Sequence, residues 1–405
     1  MVIAMLALLI VLVFLLLGYL SVTGVRRSVW LLAGLAFVAR VGFAAVNQSL
    51  GLIRPADESI YQATLEFVAQ QWRSGVIEAP LTVGSGPGFD GLFAQVYSLF
   101  LGPVYALFGT DMVHARFTMA LFGTLVVIHL YLIGSQLYSH RGGLYAAAIT
   151  AVFPYWIYLS GILYRDMLVI FLFTLMFYSL IRLQRDRASA PVIALVTVSG
   201  VLALGLRLVN LIAVGAAAAA FVYVRTDKGS KQRFLLLVAA LGSLFLFFLM
   251  FGDEITVEAL ADRRLWLARE NPASYLTGYA YGSFAEMFTF LPIGTVYFTF
   301  VPFPWQTPNT LSILALVQNL VVWYPLALLS VLGFRDAINS QFGWRRILPL
   351  LAFAGVGLVG YGLVEGNMGP ALRHRSQFQF VFFVLAGIAL SCRIRIRAEA
   401  PTGQL

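Results

Sequence analysis

The sequence predicts an all-α membrane protein, a polytopic bundle of about 11 transmembrane helices. Of its 405 residues, 60% are hydrophobic and only 11% are charged, and the mean hydropathy is +0.86. The apolar residues fall in runs of about 17 to 24, the length that a helix needs to cross about 30 Å of hydrocarbon. This composition excludes a water-soluble enzyme, a disulfide-stapled secreted domain and a disordered scaffold. An outer-membrane barrel would instead give alternating segments of about ten residues.

Charge placement predicts the topology of these helices. Basic residues concentrate between apolar runs at 26–27, 141, 182–187, 225–233, 335–346 and 393–397, and the positive-inside rule assigns these segments to the cytoplasm. The first run has no basic residue before it and no cleavage pattern, so we expect a retained span with the N-terminus outside and the C-terminus cytoplasmic. The predicted spans are 2–22, 28–47, 115–137, 144–162, 166–183, 190–206, 208–224, 234–251, 311–333, 347–364 and 378–391.

Two further apolar stretches are predicted not to cross the membrane. Leu92–Phe108 is broken by Pro103, and Phe288–Trp305 contains three prolines. Counting either stretch as a crossing would invert the charge pattern downstream, so both are interpreted as re-entrant or interfacial segments on the outer face. The chain shows no internal repeat and no soluble appendage, and its single Cys392 permits no internal disulfide. We therefore expect one integral membrane domain over residues 1–405, with outer loops 48–114, 252–310 and 365–377.

The first outer loop carries a pair of adjacent acids, Asp57 and Glu58, at the predicted start of a helix. One interpretation is structural: Asp57 caps the helix and Glu58 places a negative charge in its first turn. The other is functional. A carboxylate beside the membrane can accept a proton from a hydroxyl nucleophile while its neighbour orients it or the nucleophile.

A second polar cluster lies at the mouth between two predicted spans, where Arg165 and Asp166 follow Tyr164. It fits an interfacial anchor with a local ion pair, and it also fits a functional site. Arg207 lies at the tight outer turn of a long apolar stretch, where an arginine needs a partner or a route to lipid headgroups. Asp166 and a bound phosphate are the two partners that the sequence offers.

The last outer loop, 365–377, places Arg373, His374 and Arg375 on a face that is otherwise acidic. Guanidinium groups bind phosphate oxygens in pairs, so two of them at this depth suit a lipid phosphate; headgroup anchoring is the alternative. Asn367 lies in the turn before them. A metal site has little support because the four histidines are scattered, although a divalent metal stays open, and no cofactor is predicted.

The order of these motifs resembles the GT-C superfamily of integral membrane glycosyltransferases, closest to its family 39-like branch, which includes protein O-mannosyltransferases and the aminoarabinose transferase of lipid A. No single motif is specific, and the resemblance rests on their sequence order over roughly residues 28 to 190. The motifs are Asp57-Glu58-x-x-Tyr61, Gly102-Pro103-Val104-Tyr105, Phe108-Gly109, Arg116, Phe153-Pro154 and Tyr164-Arg165-Asp166.

The resemblance implies that Asp57 is the catalytic base, with Glu58 as its companion and Tyr61 in support. Asp166 takes the place of the second outer acid, where many members have Glu, so its role carries over less securely. The implied donor is a sugar joined to a polyprenyl phosphate, transferred with inversion to a hydroxyl of a glycan, lipid or protein acceptor. Membrane lipids are the other expected partners, and nucleic acid is not expected.

The arginines of the outer face would stabilise the departing lipid phosphate in such a reaction. The residues assigned to this role are Arg373, Arg375, Arg207 and Arg165, with His374 and Asn367 in support. A nucleotide-sugar donor is not favoured, because the sequence shows no nucleotide-binding glycine motif and no soluble α/β domain.

Two alternatives stay open at this point. One is a polymerase or ligase that joins lipid-linked oligosaccharides to a glycan. The other, from a different class, is a polyprenol or glycolipid transporter, for which repeats and ionisable residues at mid-membrane depth would be typical. A short chain without extra domains favours a prokaryotic plasma membrane, with the active site on the outer face.

Overall fold

The structure is a computed structural model that describes residues 2–53, 55, 57–76, 78, 91–185, 189–225, 256–269, 272–306, 309–340 and 343–398. The predicted all-α class is confirmed. Strand-like pairing among the described residues is limited to an isolated bridge between Ser274 and Asn367. The chain divides into two compact units, Met1–Leu208 and Val209–Leu405, and each is described separately.

Among the residues that the structure describes, the first unit has nine α-helices, and one of them lies at its centre. These are α1 (Val2–Thr23), α2 (Arg27–Leu50), α3 (Glu58–Arg73), α4 (Gly91–Phe108), α5 (Met112–Leu137), α6 (His140–Val152), α7 (Pro154–Ser160), α8 (Asp166–Arg185) and α9 (Ala190–Leu206). The apolar stretch of α5 is buried along its whole length. Helix α6 approaches it closely, since a Cβ atom on Gly134 would lie 2.8 Å from the Cα of Gly143. Small residues permit this contact between backbones.

A buried arginine lies at the bend between α6 and α7. The two helices meet at an angle of 62°, at Pro154, whose ring removes a backbone donor. The side chain of Arg40, which is fully buried, donates hydrogen bonds to the carbonyl oxygens of Thr150 (2.9 Å) and Ala151 (3.1 Å) at the end of α6. Arg40 therefore satisfies carbonyl groups at the end of the helix, and the predicted span 144–162 is a bent pair of helices.

Seven α-helices, with short 3₁₀ and π segments, lie in the described part of the second unit. They are α10 (Leu211–Arg225), α11 (Val257–Leu267), α12 (Phe284–Phe300), α13 (Thr310–Gln318), α14 (Tyr324–Ile338), α15 (Leu348–Val364) and α16 (Met368–Ala398). A π segment, Asn319–Trp323, joins α13 to α14. Helices α12 and α15 pack through glycine, because a Cβ atom on Gly362 would lie 2.7 Å from the Cα of Thr295.

Eight of the described helices are long and apolar enough to cross a membrane, and nine if the bent pair is one span. These helices support an integral membrane protein, but the predicted count of about 11 spans is not confirmed. Two predicted spans, 190–206 and 347–364, form apolar helices of 17 residues each, Ala190–Leu206 and Leu348–Val364, which are shorter than the others. The predicted span 234–251 lies outside the described residues.

One sequence interpretation needs correction, and another stays a prediction. Gly91–Phe108 is one continuous helix through Pro103, because membrane helices tolerate an internal proline, and it is long and apolar enough to cross. That it does not cross is predicted from the charge pattern alone. The loop interpretation of 365–377 holds only for its first residues, since α16 begins at Met368. Pro370 lies in the first turn of α16, where its missing N–H costs no hydrogen bond. The basic triplet at 373–375 is therefore helical.

Candidate active site

The turn after α2 directs the chain toward the two acids. Gly51 ends α2 with a left-handed conformation (φ 60°), and its N–H donates to the carbonyl of Asn47. The Asn47 side chain then closes the turn: its amide donates to the carbonyl of Ile53 (3.1 Å) and accepts from the Ile53 N–H (2.9 Å). These two hydrogen bonds fix Ile53 against the end of α2.

Glu58 is a buried, fully engaged carboxylate at the first position of α3. It is 3% exposed and receives two hydrogen bonds from Arg116, at 2.7 Å from Nη2 to Oε2 and 3.0 Å from Nε to Oε1. The N–H of Leu163 donates to the same Oε1 at 2.8 Å. Because both oxygens have hydrogen-bond donors as partners, Glu58 joins α3, α5 and the segment before α8.

The polar network continues from Arg116 to the start of α5. Its Nη1 donates to Oε1 of Gln48 at 2.7 Å, and the Gln48 amide donates to Asp111 at 3.4 Å. Asp111 caps α5 by accepting from the N–H of Val113 at 3.0 Å. Glutamate, arginine, glutamine and aspartate thus form one chain of side chains between α2, α3 and α5.

Asp57 differs from its neighbour. It directly precedes α3, as the sequence predicts, and its carbonyl accepts from the N–H groups of Ile60 and Tyr61. Its side chain is half-buried and makes no capping hydrogen bond. The interpretation of Asp57 as a side-chain cap of this helix is therefore wrong.

A cavity of about 500 Å³ lies beside this network. Pro55, Glu58 and Ser59, which flank Asp57 in sequence, line it, although Asp57 itself does not. Its volume falls within the range of about 300 to 1,000 Å³ that is typical of small-molecule sites. The full lining consists of Asn47, Gln48, Pro55, Glu58, Ser59, Gln62, Asp111, Met112 and Arg116.

Tyr61 packs within a cluster of aromatic rings. It is 3% exposed, with its ring centroid 5.0 Å from that of Tyr97 and 5.9 Å from that of Tyr164. Its supporting role is therefore to hold α3 against α4 and the segment before α8. The hydroxyl of Tyr97 is buried and has no hydrogen-bond partner within the described part of the chain.

The second predicted cluster is an ion pair. Asp166 is fully buried, and its Oδ1 accepts from Nη2 of Arg207 at 2.6 Å. Of the two partners that the sequence offered for Arg207, the structure gives Asp166. The guanidinium of Arg165 lies over the Phe93 ring, 4.3 Å from its centroid. The first unit thus brings this cluster near Asp57, Glu58 and Tyr61 through the Tyr61–Tyr164 and Glu58–Leu163 contacts.

In the second unit, Arg375 is an interior residue. It is 1% exposed, and its guanidinium donates to the carbonyl oxygens of Thr299 (3.0 Å) and Val301 (2.6 Å) and to Oδ1 of Asn319 (2.7 Å). The two carbonyls lie at the end of α12, where a cation complements the helix dipole. Arg375 therefore holds the end of α12, and its expected role at the donor phosphate stays a prediction.

The other members of the basic triplet are half-buried. Arg373 lies one residue before His374, whose Nδ1 contacts a carboxylate oxygen of Glu365. Asn367 accepts from the N–H of Gly369 (3.0 Å) with its side-chain oxygen, so it supports the start of α16. The ring of Tyr361 lies 4.9 Å from that of His374, at an interplanar angle of 44°.

Arg264 is a buried arginine that the sequence did not identify as a candidate site residue. Arg264 of α11 is fully buried; it donates to the carbonyl of Glu365 at 2.6 Å and lies 4.3 Å from the Phe290 ring centroid. Burial lowers its pKa. Burial also raises the pKa of Tyr281 nearby to about 12. The short helix α11 has two adjacent arginines, Arg263 and Arg264, and nothing in the local sequence pattern indicates which of them is buried.

The positions of the acidic and histidine side chains bear on metal binding. Within the ranges that the structure describes, no three His, Cys, Asp or Glu side chains are grouped closely enough to hold a metal ion.

Comparisons with known proteins bear on this arrangement. Residues 94–251 match the family model of dolichyl-phosphate-mannose-protein mannosyltransferase. The fold is similar to the crystal structure of ArnT from Cupriavidus metallidurans bound to undecaprenyl phosphate, with 15% sequence identity and a TM-score of 0.54. That likeness covers 90% of this chain and 61% of the ArnT chain. A sequence comparison with curated proteins finds no match.

Proposed function

These matches support the GT-C superfamily of membrane glycosyltransferases, and on that premise we propose that the chain transfers a sugar from a polyprenyl-phosphate-linked donor to an acceptor hydroxyl. The observation that carries the proposal is the unequal pair at the start of α3. Glu58 is bound by Arg116 and Leu163, whereas the Asp57 carboxylate makes no capping hydrogen bond beside a cavity lined by its neighbours.

This difference between Glu58 and Asp57 indicates which of the two carboxylates acts as the general base. A general base must give its lone pair to the incoming proton, and Glu58 already uses both oxygens to hold a buried guanidinium. We therefore assign the base to Asp57, which directly precedes Glu58 and whose neighbours Pro55 and Ser59 line the cavity. The acceptor oxygen bonds to the anomeric carbon as its proton passes to Asp57, and the bond from that carbon to the phosphate oxygen breaks on the opposite face, which inverts the configuration.

The leaving phosphate needs positive charge. Arg207 is paired with Asp166, Arg165 lies over Phe93, and Arg375 binds the end of α12. We assign Arg373, half-buried on the first turns of α16, to the donor phosphate because it breaks the positive-inside pattern on an otherwise acidic outer face. The family description names dolichyl phosphate mannose, and the similar structure holds undecaprenyl phosphate. Both lipids have the chemistry that this assignment requires.

The proposed site faces the outside of a plasma membrane, as the charge pattern predicts, with the N-terminus outside and the C-terminus cytoplasmic. Assays with hexose and pentose donors, and with glycan, lipid and protein acceptors, identify the sugar and the acceptor.

The test is transfer by the purified chain from a radiolabelled polyprenyl-phosphate sugar. Asp57→Asn keeps the size of the side chain but cannot accept the proton, so release of polyprenyl phosphate should fall on the order of a hundredfold or more. Glu66→Gln, on the same helix, is the matched control and should stay near wild type. Near-normal turnover by Asp57→Asn would contradict the assignment, and passage of intact donor across vesicles without cleavage would favour the transporter.

A further inference from the structure

The cavity beside α3, in the first unit, is lined mainly by polar side chains. Seven of its nine lining residues are polar, and the two apolar ones are Pro55 and Met112. Small-molecule sites usually show the opposite balance, with a mostly apolar lining and a small number of polar groups that fix the orientation of the ligand. A cavity with this lining suits a ligand that carries many polar groups, and it does not suit an acyl chain.

Arg116 is the cation of this lining, and its donors are directed at the lining itself. Its Nε and Nη2 donate to the two oxygens of Glu58 at 3.0 Å and 2.7 Å, and its Nη1 donates to Oε1 of Gln48 at 2.7 Å. Glu58 and Asp111 place two carboxyl groups against this one guanidinium. Because acidic groups outnumber basic ones, the cavity disfavours a phosphate or a carboxylate as its ligand.

The lining also contains acceptor oxygens that the described part of the chain does not use. Nε2 of Gln62 donates to Glu66 at 2.6 Å, whereas Oε1 of Gln62 accepts no hydrogen bond from the described residues. Oδ1 of Asp111 accepts from Val113 and Gln48, whereas Oδ2 accepts none from the same part of the chain. Gln62 and Asp111 are half-buried and line the cavity, so each can offer an oxygen to a ligand.

Two side-chain amides add donors to these acceptors. Nε2 of Gln48 gives one hydrogen to Asp111, and Nε2 of Gln62 gives one to Glu66. A primary amide nitrogen carries two hydrogens, so each glutamine keeps one donor for a ligand. A hydroxyl both donates and accepts, and several hydroxyls on one rigid ring can use such donors and acceptors together. A serine or threonine side chain would bring a single hydroxyl.

The position of the proposed base indicates which substrate binds in this cavity. Pro55, Glu58 and Ser59, which flank Asp57 in sequence, line it. A general base takes its proton from the acceptor hydroxyl, so the acceptor is the substrate that lies next to the base. The donor carries a phosphate, which the acidic lining disfavours.

Resting on the proposed function, we propose that this cavity binds the acceptor, that the acceptor is a neutral saccharide, and that Gln62 and Asp111 bind its hydroxyl groups. The oxygen of one ring hydroxyl bonds to the anomeric carbon of the donor, and its proton passes to Asp57. The bond from that carbon to the phosphate oxygen breaks, and its electron pair stays on the phosphate.

The experiment measures transfer by the full chain in lipid nanodiscs from a radiolabelled polyprenyl-phosphate hexose or pentose. Three acceptor pools are compared: neutral oligosaccharides, glycolipids with the same saccharides as head groups, and peptides that contain serine and threonine. Label should enter the saccharides and not the peptides. The difference between the first two pools shows whether the saccharide is taken free or on a lipid.

The pools separate two failures. Label in the peptides alone, or cleavage of the donor without label in either saccharide pool, would overturn this inference and leave the proposed function in place. Absence of donor cleavage with every pool would overturn the proposed function, and this inference with it.

Two variants test the residues assigned to the acceptor. Gln62→Met keeps the length of the side chain without its polar atoms, and Asp111→Asn keeps a side chain that can cap α5. Each should raise the KM for the saccharide roughly threefold to tenfold, the scale of one lost hydrogen bond, while the KM for the donor and the thermal stability stay near wild type. Gln70→Met, at an exposed position of the same helix, is the matched control and should leave both KM values unchanged.

The two KM values distinguish substrate binding from a structural role. A saccharide KM equal to that of wild type in both variants, or an equal rise in the KM of both substrates, would overturn the assignment of Gln62 and Asp111. If Asp111→Asn unfolds, Gln62→Met alone decides between these results.

Discussion

Glu58 and Arg116 form a buried ion pair with two parallel hydrogen bonds, 2.7 Å from Nη2 to Oε2 and 3.0 Å from Nε to Oε1, and both side chains are 3% exposed. The pair joins the first residue of α3 to the first turns of α5. It therefore fixes the position of Asp57, which directly precedes Glu58 in sequence. The stability of the protein and the proposed catalytic role of Asp57 therefore both depend on the Glu58 carboxylate.

Glu58→Gln should destabilise the chain because it leaves the buried Arg116 without a counter-charge. Removing one partner of a buried pair costs about 3 to 5 kcal/mol, and since Gln keeps part of the hydrogen bonding we expect about 2 to 3 kcal/mol. Thermal unfolding in detergent, compared with Glu66→Gln on the same helix, measures this loss. An unchanged unfolding temperature would show that the pair contributes little.

Asp166 should behave as a structural residue. It is fully buried against Arg207, so Asp166→Asn should lower the free energy of unfolding by about 2 kcal/mol or more, while turnover per folded molecule falls less than in Asp57→Asn. Active-site titration with thermal unfolding separates the two quantities. A loss of turnover as large as that of Asp57→Asn, in a variant of normal stability, would instead make Asp166 part of the chemistry.

Arg375→Lys should destabilise the second unit. A single ammonium cannot reproduce the planar fork that reaches Thr299, Val301 and Asn319 together, so we expect a loss of about 1 to 3 kcal/mol. Arg335→Lys, at an exposed arginine of α14, is the matched control for thermal unfolding. Equal stability of the two variants would show that the contacts at the end of α12 are replaceable.

Much of this molecule follows from composition and local pattern. Apolar length predicts helices, and the chemistry of an acid at a helix start places Asp57 before α3. The sequence could not predict which polar side chains pair with one another. Nothing local distinguishes Arg375, which turns inward to α12, from Arg373 two residues earlier, or tells that Glu365 pairs with His374. Such pairings depend on tertiary packing between helices that are distant in sequence.

The helix α4 provides the last prediction, since it was expected not to cross the membrane yet is long and apolar enough to do so. After Cys392→Ser, single cysteines at Ser74, which precedes α4, and Thr110, which follows it, report the side of each end to an impermeant maleimide in intact cells. The charge pattern predicts that both label, while Ser189, in a predicted cytoplasmic loop, does not. If Ser74 labels and Thr110 does not, α4 crosses, and every later segment of the charge-based map changes sides.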